Sequence, residues 1–214
     1  MAVVGIVPAA GSGERLGAPG PKAFALCGGR PLLDWSLDVL EEVCDRVVVA
    51  VPAGYEEAPD RVVGGACRSA SVRHAVAAAP EASIVVVHDA ARPLVTRALV
   101  ERCIDALQGW DGVVAAARVP DTIKEADASG RVVRTLERSS LWAIQTPQVF
   151  VASALRSALE VDDAALAAAT DDASLVEAAG GSVRVVEASP DNLKVTRRVD
   201  LDLAEALLRA RTEC

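Results

Sequence analysis

The stretch richest in chemical possibility is Pro8-Ala9-Ala10-Gly11-Ser12-Gly13-Glu14-Arg15-Leu16-Gly17, followed by Pro21-Lys22. Small residues at Ala9, Ala10, Gly11 and Gly13 let a backbone approach a ligand closely. Successive N–H groups in such a turn can cradle phosphate oxygens. Arg15 and Lys22 flank that cradle, and two cations there suit a triphosphate and the extra charge of a transition state at phosphorus. Two familiar loops do not fit. A dinucleotide fingerprint needs glycine where Leu16 stands, and a Walker loop needs Gly-Lys-Ser/Thr, whereas Lys22 lies between Pro21 and Ala23. Taken alone, the stretch is also compatible with an ordinary glycine-rich turn.

Two further places carry candidate residues. Gly64-Gly65-Ala66-Cys67-Arg68-Ser69-Ala70-Ser71 reads as a turn before a helix, in which Ser69 or Ser71 would serve as a cap. Residues 85–93 place His88 and Asp89 at the C-terminal end of a buried strand, with Arg92 just beyond. A carboxylate at that sheet edge, opposite bound phosphates, is well placed for Mg²⁺. His88 reads as a structural hydrogen-bonding residue, and His74 as a helix-face residue without chemistry.

These residues need a frame. Residues 3–7, 47–51, 84–87, 113–117 and 183–186 are short apolar runs. Helical patterns occupy 31–43, 69–79, 96–107, 151–159, 172–179 and 199–211. Continuous rather than alternating apolar strands point to a parallel sheet covered on both faces. The rhythm predicts an α/β, doubly wound, mostly parallel sheet of Rossmann-like type, a single domain over 1–214. It breaks at about 119–141, where polar arms at 122–125 and 131–136 flank Asp127-Ala128-Ser129-Gly130, a hairpin turn. Such a hairpin is either a lid or subunit-clasping arm, or a solvated excursion. The alanine-rich patch 164–169 reads as a helix end or loop.

Composition narrows the function. Hydrophobic residues make up 51% of the 214-residue chain but aromatics only 3%, so the core must be built from Ala, Val and Leu. A net charge of −8 with few aromatics argues against nucleic-acid binding. Anionic substrates would therefore need a local gathering of cations. Five scattered cysteines without a CxxC pair indicate neither a disulfide framework nor a zinc site. They fit reduced thiols in a cytoplasmic protein. The first apolar run is too short to span a membrane and lacks a basic leader.

Taken together and in order, PAAGSGERLG…PK, GG…RSAS, VHDAARP, PDTIKE, ER…LWAIQTPQVF, TDDASLVE and DNLKVT resemble the 2-C-methyl-D-erythritol 4-phosphate cytidylyltransferase family over nearly the whole chain. The resemblance implies transfer of CMP from CTP to a small polyol phosphate. It assigns Arg15, Lys22, Arg138 and Lys194 to catalysis. Ala9, Ala10, Gly65 and Ser71 would line the cytosine pocket, with Gly11 and Gly13 under the phosphates. Arg92, Thr122, Thr146 and Thr170 would handle the acceptor, and Asp89 would help to hold Mg²⁺. It also implies a homodimer in which the arm reaches the neighbouring subunit. Read without the resemblance, the threonines are also candidate strand or cap residues, and Arg138 beside Glu137 a candidate surface ion pair. The chain departs from the family pattern at Arg198, where proline is frequent, and at Ala66, where some relatives carry Asp. Ribitol 5-phosphate is the alternative acceptor. Sugar-1-phosphate or molybdopterin nucleotidyl transfer, or nucleotide binding without turnover, are more distant readings.

Overall fold

The computed structural model describes residues 1–13, 16, 17 and 20–212. Strand β1 (Ala2–Pro8) opens the fold. A short hairpin, β2 (Leu26–Cys27) and β3 (Arg30–Pro31), leads into α1 (Leu32–Glu41). Then follow β4 (Arg46–Val51), β5 (Arg61–Val63), α2 (Arg68–Ala77), β6 (Ala82–Val87), α3 (Arg97–Asp105) and β7 (Gly112–Arg118). The predicted arm is β8 (Lys124–Ala126) and β9 (Val132–Thr135). The chain closes with β10 (Trp142–Val151), α4 (Ala152–Ala158), α5 (Asp163–Ala168), α6 (Asp172–Ala178), β11 (Val183–Glu187) and α7 (Arg198–Thr212).

Among the described residues the main sheet has seven strands in the order β11-β7-β10-β6-β1-β4-β5. All its pairings are parallel except those of β10, which runs antiparallel to both β6 and β7. The expected mostly parallel, doubly wound α/β sheet is what the structure shows. β-Branched residues dominate because each central strand buries both faces. Val4, Ile6, Val48, Ala50, Val85 and Val87 pack on one side with α2, α4 and α6. Val7, Val47, Val49, Ile84, Val86 and Val113 pack on the other with α1 and α3.

Three local readings change. β10 lies outside the apolar runs of the sequence, because Gln145, Thr146, Pro147 and Gln148 interrupt it. Those polar side chains are buried nonetheless, each held by a partner from elsewhere in the chain. A register irregularity between Ile144 and Gln148 accommodates the proline. The alanine patch is the helix α5, capped by Asp162, whose carboxylate accepts the Ala165 N–H at 2.8 Å. Neither Ser69 nor Ser71 caps α2; Cys67 does, with its sulfur 3.4 Å from Ala70 N.

Candidate active site

Chain direction places the site. From β1 the chain moves outward to β4 and β5, then returns to β6 on the other flank of β1. The C-terminal ends of β1 and β6 thus form a switch point, where open parallel sheets bind ligands. A cleft of about 730 Å³ opens there, floored by Pro8 to Gly13 and walled by Lys22, Arg68, Asp89 and Lys194.

Its glycine-rich side is built by close approach. Ala9 N–H donates to Ala50 C=O at 2.7 Å and Gly64 N–H to Val51 C=O at 2.7 Å, which ties both loops to the sheet. A Cβ on Gly64 would lie 2.4 Å from Ala10 Cβ, and one on Gly65 would lie 2.5 Å from Ala70 Cβ. Glycine is therefore required at both by contact with neighbouring atoms. Gly13 has φ +79° and lies against the Lys22 backbone, whose N–H donates to Gly11 C=O at 3.1 Å. This bond closes the loop and brings Lys22 to the cleft. Ser71 Oγ accepts the Gly65 N–H at 3.0 Å and donates to Cys67 C=O at 3.0 Å. Its proton is used, so toward the cleft the hydroxyl can act only as an acceptor. Arg15 lies outside the described residues.

A second cleft, about 500 Å³, shares Arg68, Asp89 and Lys194 with the first. Arg92, Thr146 and Thr170 line it, so three of the four expected acceptor residues meet there. Thr122 and Arg138 do not; both are exposed on the arm, and Arg138 donates to Pro120 C=O at 2.8 Å rather than pairing with Glu137. Thr170 is not a helix cap either, because Asp171 caps α6 by accepting the Ser174 N–H at 2.9 Å.

The shared wall is a run of alternating charges. Arg68 Nε lies 2.9 Å from Asp89 Oδ1, and Arg68 Nη1 lies 2.7 Å from Asp172 Oδ2. Lys194 Nζ lies 2.7 Å from Asp89 Oδ2. Burial opposes ionisation of Asp89, but Arg68 and Lys194 outweigh it and hold the carboxyl well below its ordinary range. Burial also works against a charged Arg68, yet Asp89 and Asp172 raise its pKa further. At Asp172 burial prevails and the pKa is raised. Sequence reading missed Arg68 and Asp172 as site residues. The signal was present in RSAS and TDD, but a lone Arg before a helix and a second Asp after a cap have no meaning until they meet.

Behind this wall stands a buried polar scaffold. Arg92 Nη1 donates to Asn192 C=O at 2.7 Å. Asn192 Nδ2 donates to Gln145 Oε1 and to Thr146 C=O, both at 2.8 Å. These bonds tie the loop carrying Lys194 to β10 and to the end of β6. Among the described residues, no group of three or more His, Cys, Asp or Glu stands close enough to hold a metal by itself. Asp89 is the carboxylate common to both clefts.

Comparison with known proteins resolves the family. The model described as IspD, 2-C-methyl-D-erythritol 4-phosphate cytidylyltransferase, matches residues 3–210. The chain belongs to this cytidylyltransferase family. A relative from Nocardia farcinica bearing that description is 46% identical over 222 residues, covering 98% of this chain and 95% of its own. One from Frankia casuarinae is 44% identical over 218 residues, covering 96% and 81%. The crystal structure of the cytidylyltransferase from Thermus thermophilus superposes with a TM-score of 0.84 at 39% identity, covering 98% of this chain and all of that one. Within the cytidylyltransferase frame, three buried cysteines are held as thiols: burial pushes Cys27 up to about 11 and both Cys44 and Cys103 to about 12.

Proposed function

We propose that this protein transfers CMP from CTP to 2-C-methyl-D-erythritol 4-phosphate, releasing pyrophosphate. The carrying observation is that two clefts meet at one wall, Arg68–Asp89–Lys194. CTP occupies the glycine-lined cleft, and the polyol phosphate occupies the cleft with Arg92 and Thr170. The reacting phosphorus then lies at their junction.

The acceptor phosphate needs no general base. A phosphate monoester loses its second proton near pH 6, so at neutral pH an oxygen is ready to attack the α-phosphorus in line. Lys22 from the nucleotide cleft and Lys194 from the wall shared by both clefts stabilise the charge that accumulates at phosphorus, the role that the resemblance also gives to Arg15. The new P–O bond forms as the bond to pyrophosphate breaks. Positioning supplies much of the rest, because both reactants are held by a rigid sheet edge. The amino group of cytosine, absent from uracil, finds an acceptor in the remaining lone pair of Ser71 Oγ.

Asp89 would hold Mg²⁺ together with substrate phosphates. A single hard carboxylate at the junction fits, since Mg²⁺ is usually bound by one or two carboxylates plus phosphate and water. When bound, the ion would supply positive charge to offset that of the departing pyrophosphate.

The arm supports a homodimer. β8 and β9 are exposed along their length, with Val132 53% and Val133 60% exposed, and Thr122 and Arg138, which flank them, line neither cleft of their own subunit. The arm would deliver both residues to the acceptor cleft of a second copy. The unpaired Cys27, Cys44, Cys67 and Cys103 suit a reducing, cytoplasmic setting. Among the described residues no helix is long and apolar enough to cross a membrane.

The test is direct. Purified protein is incubated with CTP, Mg²⁺ and either methylerythritol phosphate or ribitol 5-phosphate, and pyrophosphate and the CDP-linked product are measured. Product with the first acceptor is expected. Product with ribitol phosphate alone would reassign the acceptor, and none with either would overturn the reading.

A further inference from the structure

Asp172 is fully buried and lines neither cleft, so it touches no substrate. It is the first residue of α6, whose N-terminus is pinned to β10. Gln148 Nε2 donates to Asp171 Oδ2 at 2.7 Å, and the Ala173 N–H donates to Gln148 Oε1 at 3.3 Å. This fixed carboxylate bonds Arg68 through Oδ2, while Oδ1 has no hydrogen-bond partner among the described residues. Its interactions are thus committed to one side chain.

A buried ion pair of this kind is poor evidence for stability, since desolvating both charges offsets most of their attraction. What it gives is a fixed place. Arg68 is 27% exposed and could reach into either cleft; with Nη1 on Asp172, its Nε is left for Asp89. Asp89 in turn spans Arg68 and Lys194. On the cytidylyl-transfer reading above, we infer that Asp172 is a positioning residue: through Arg68 it fixes where Asp89 and Lys194 stand, and so governs turnover rather than CTP binding.

Without the Asp172 charge, Asp89 alone faces both Arg68 and Lys194, and Arg68 loses the contact that fixes its guanidinium. Arg68 is then free to swing toward the anionic substrates, which strengthens ground-state binding while displacing Asp89 and Lys194. Misplacement of catalytic groups by about 1 Å can lower a rate about 100-fold.

The experiment compares wild type, Asp172→Asn, Arg68→Gln and the double variant, with kcat and KM for CTP measured beside thermal unfolding. Asp172→Asn is expected to lower kcat at least about tenfold, by that misplacement, with KM for CTP unchanged or lower. Because both residues act as one unit, the double variant should be no slower than the slower single variant. Multiplying losses, or a wild-type kcat in Asp172→Asn, would overturn the inference. Should Asp172→Asn not fold, Arg68→Gln decides: wild-type turnover there is equally fatal. A wild type that transfers no CMP at all would instead remove the functional reading on which this rests.

Discussion

The hydroxyl of Thr146 stands 3.0 Å from Nδ1 of His88, and this contact fixes the state of both side chains. His88 Nε2 faces the Arg92 carbonyl at 3.2 Å, so Nε2 carries the proton. Nδ1 of the neutral ring is then an acceptor, and Thr146 donates to it. The same hydroxyl accepts the Asp89 N–H at 3.1 Å. Its one proton therefore serves His88, so toward the acceptor cleft Thr146 can offer only its remaining lone pair, while it also helps to place Asp89. Thr146→Val keeps the shape and removes both bonds. Loss of stability of about 1–3 kcal/mol is expected from a buried acceptor left unpaired, with kcat falling more than KM for the acceptor changes. Denaturant unfolding and steady-state kinetics check both; a change confined to acceptor KM would leave Thr146 with the binding role alone.

Acid stability follows from the same ring. Burial lowers the His88 pKa from 6.5 to about 4. The unfolded chain takes up this proton as pH falls through 6.5, while the folded protein resists until about 4. Stability therefore falls with pH across that window, by up to about 3 kcal/mol. Asp172 acts in the opposite sense: its raised pKa makes the folded state bind a proton that the unfolded chain releases above its ordinary carboxyl range, so its contribution weakens as pH rises. Asp89, held low, loses its contribution only below the ordinary carboxyl range. The difference between unfolding curves of wild type and His88→Gln isolates the histidine. A flat difference from pH 6.5 to 4 would contradict the assignment.

Gly64→Ala tests the close approach of two loops. The new Cβ would meet Ala10 Cβ at 2.4 Å, against backbone tied to the sheet. The loops must part, and CTP affinity should fall about tenfold or more, alongside about 1–3 kcal/mol of stability. Isothermal titration with CTP and a denaturation curve report the two effects separately.

Lys22→Ala should leave the fold intact and reduce turnover by about two to three orders of magnitude, the range seen when one preorganised charge donor is removed. Arg138→Ala should instead weaken use of the acceptor. If the arm serves a neighbouring subunit, an equimolar mixture of the two variants, assayed at an acceptor concentration too low for Arg138→Ala alone, regains about a quarter of wild-type sites, because half the dimers are mixed and each has one complete site. No recovery after subunit exchange would place Arg138 outside the partner's cleft.

Much of this protein is legible along the chain because its determinants are local. Continuous β-branched runs produce doubly covered strands, and β1, β4, β6, β7 and β11 lie where those runs lie. The arm's turn is equally local: Asp127 Oδ1 accepts the N–H groups of Ser129 and Arg131, and Gly130 has φ +83°. Gly11, Gly13 and Lys22 read as one loop because few residues separate them.

Local pattern thus accounts for five strands of the sheet, the phosphate-type loop, the arm and, through ordered motifs, the family. Folding alone brings Arg68 between Asp89 and Asp172, the latter 104 residues away, and sets Arg92 against a carbonyl 100 residues on. It also decided that β10 is a strand despite its polar centre. The physical reason is common to all three. A buried charge or amide is tolerable only when paired, and the partner is supplied by the fold, at a distance that no pattern along the chain can express.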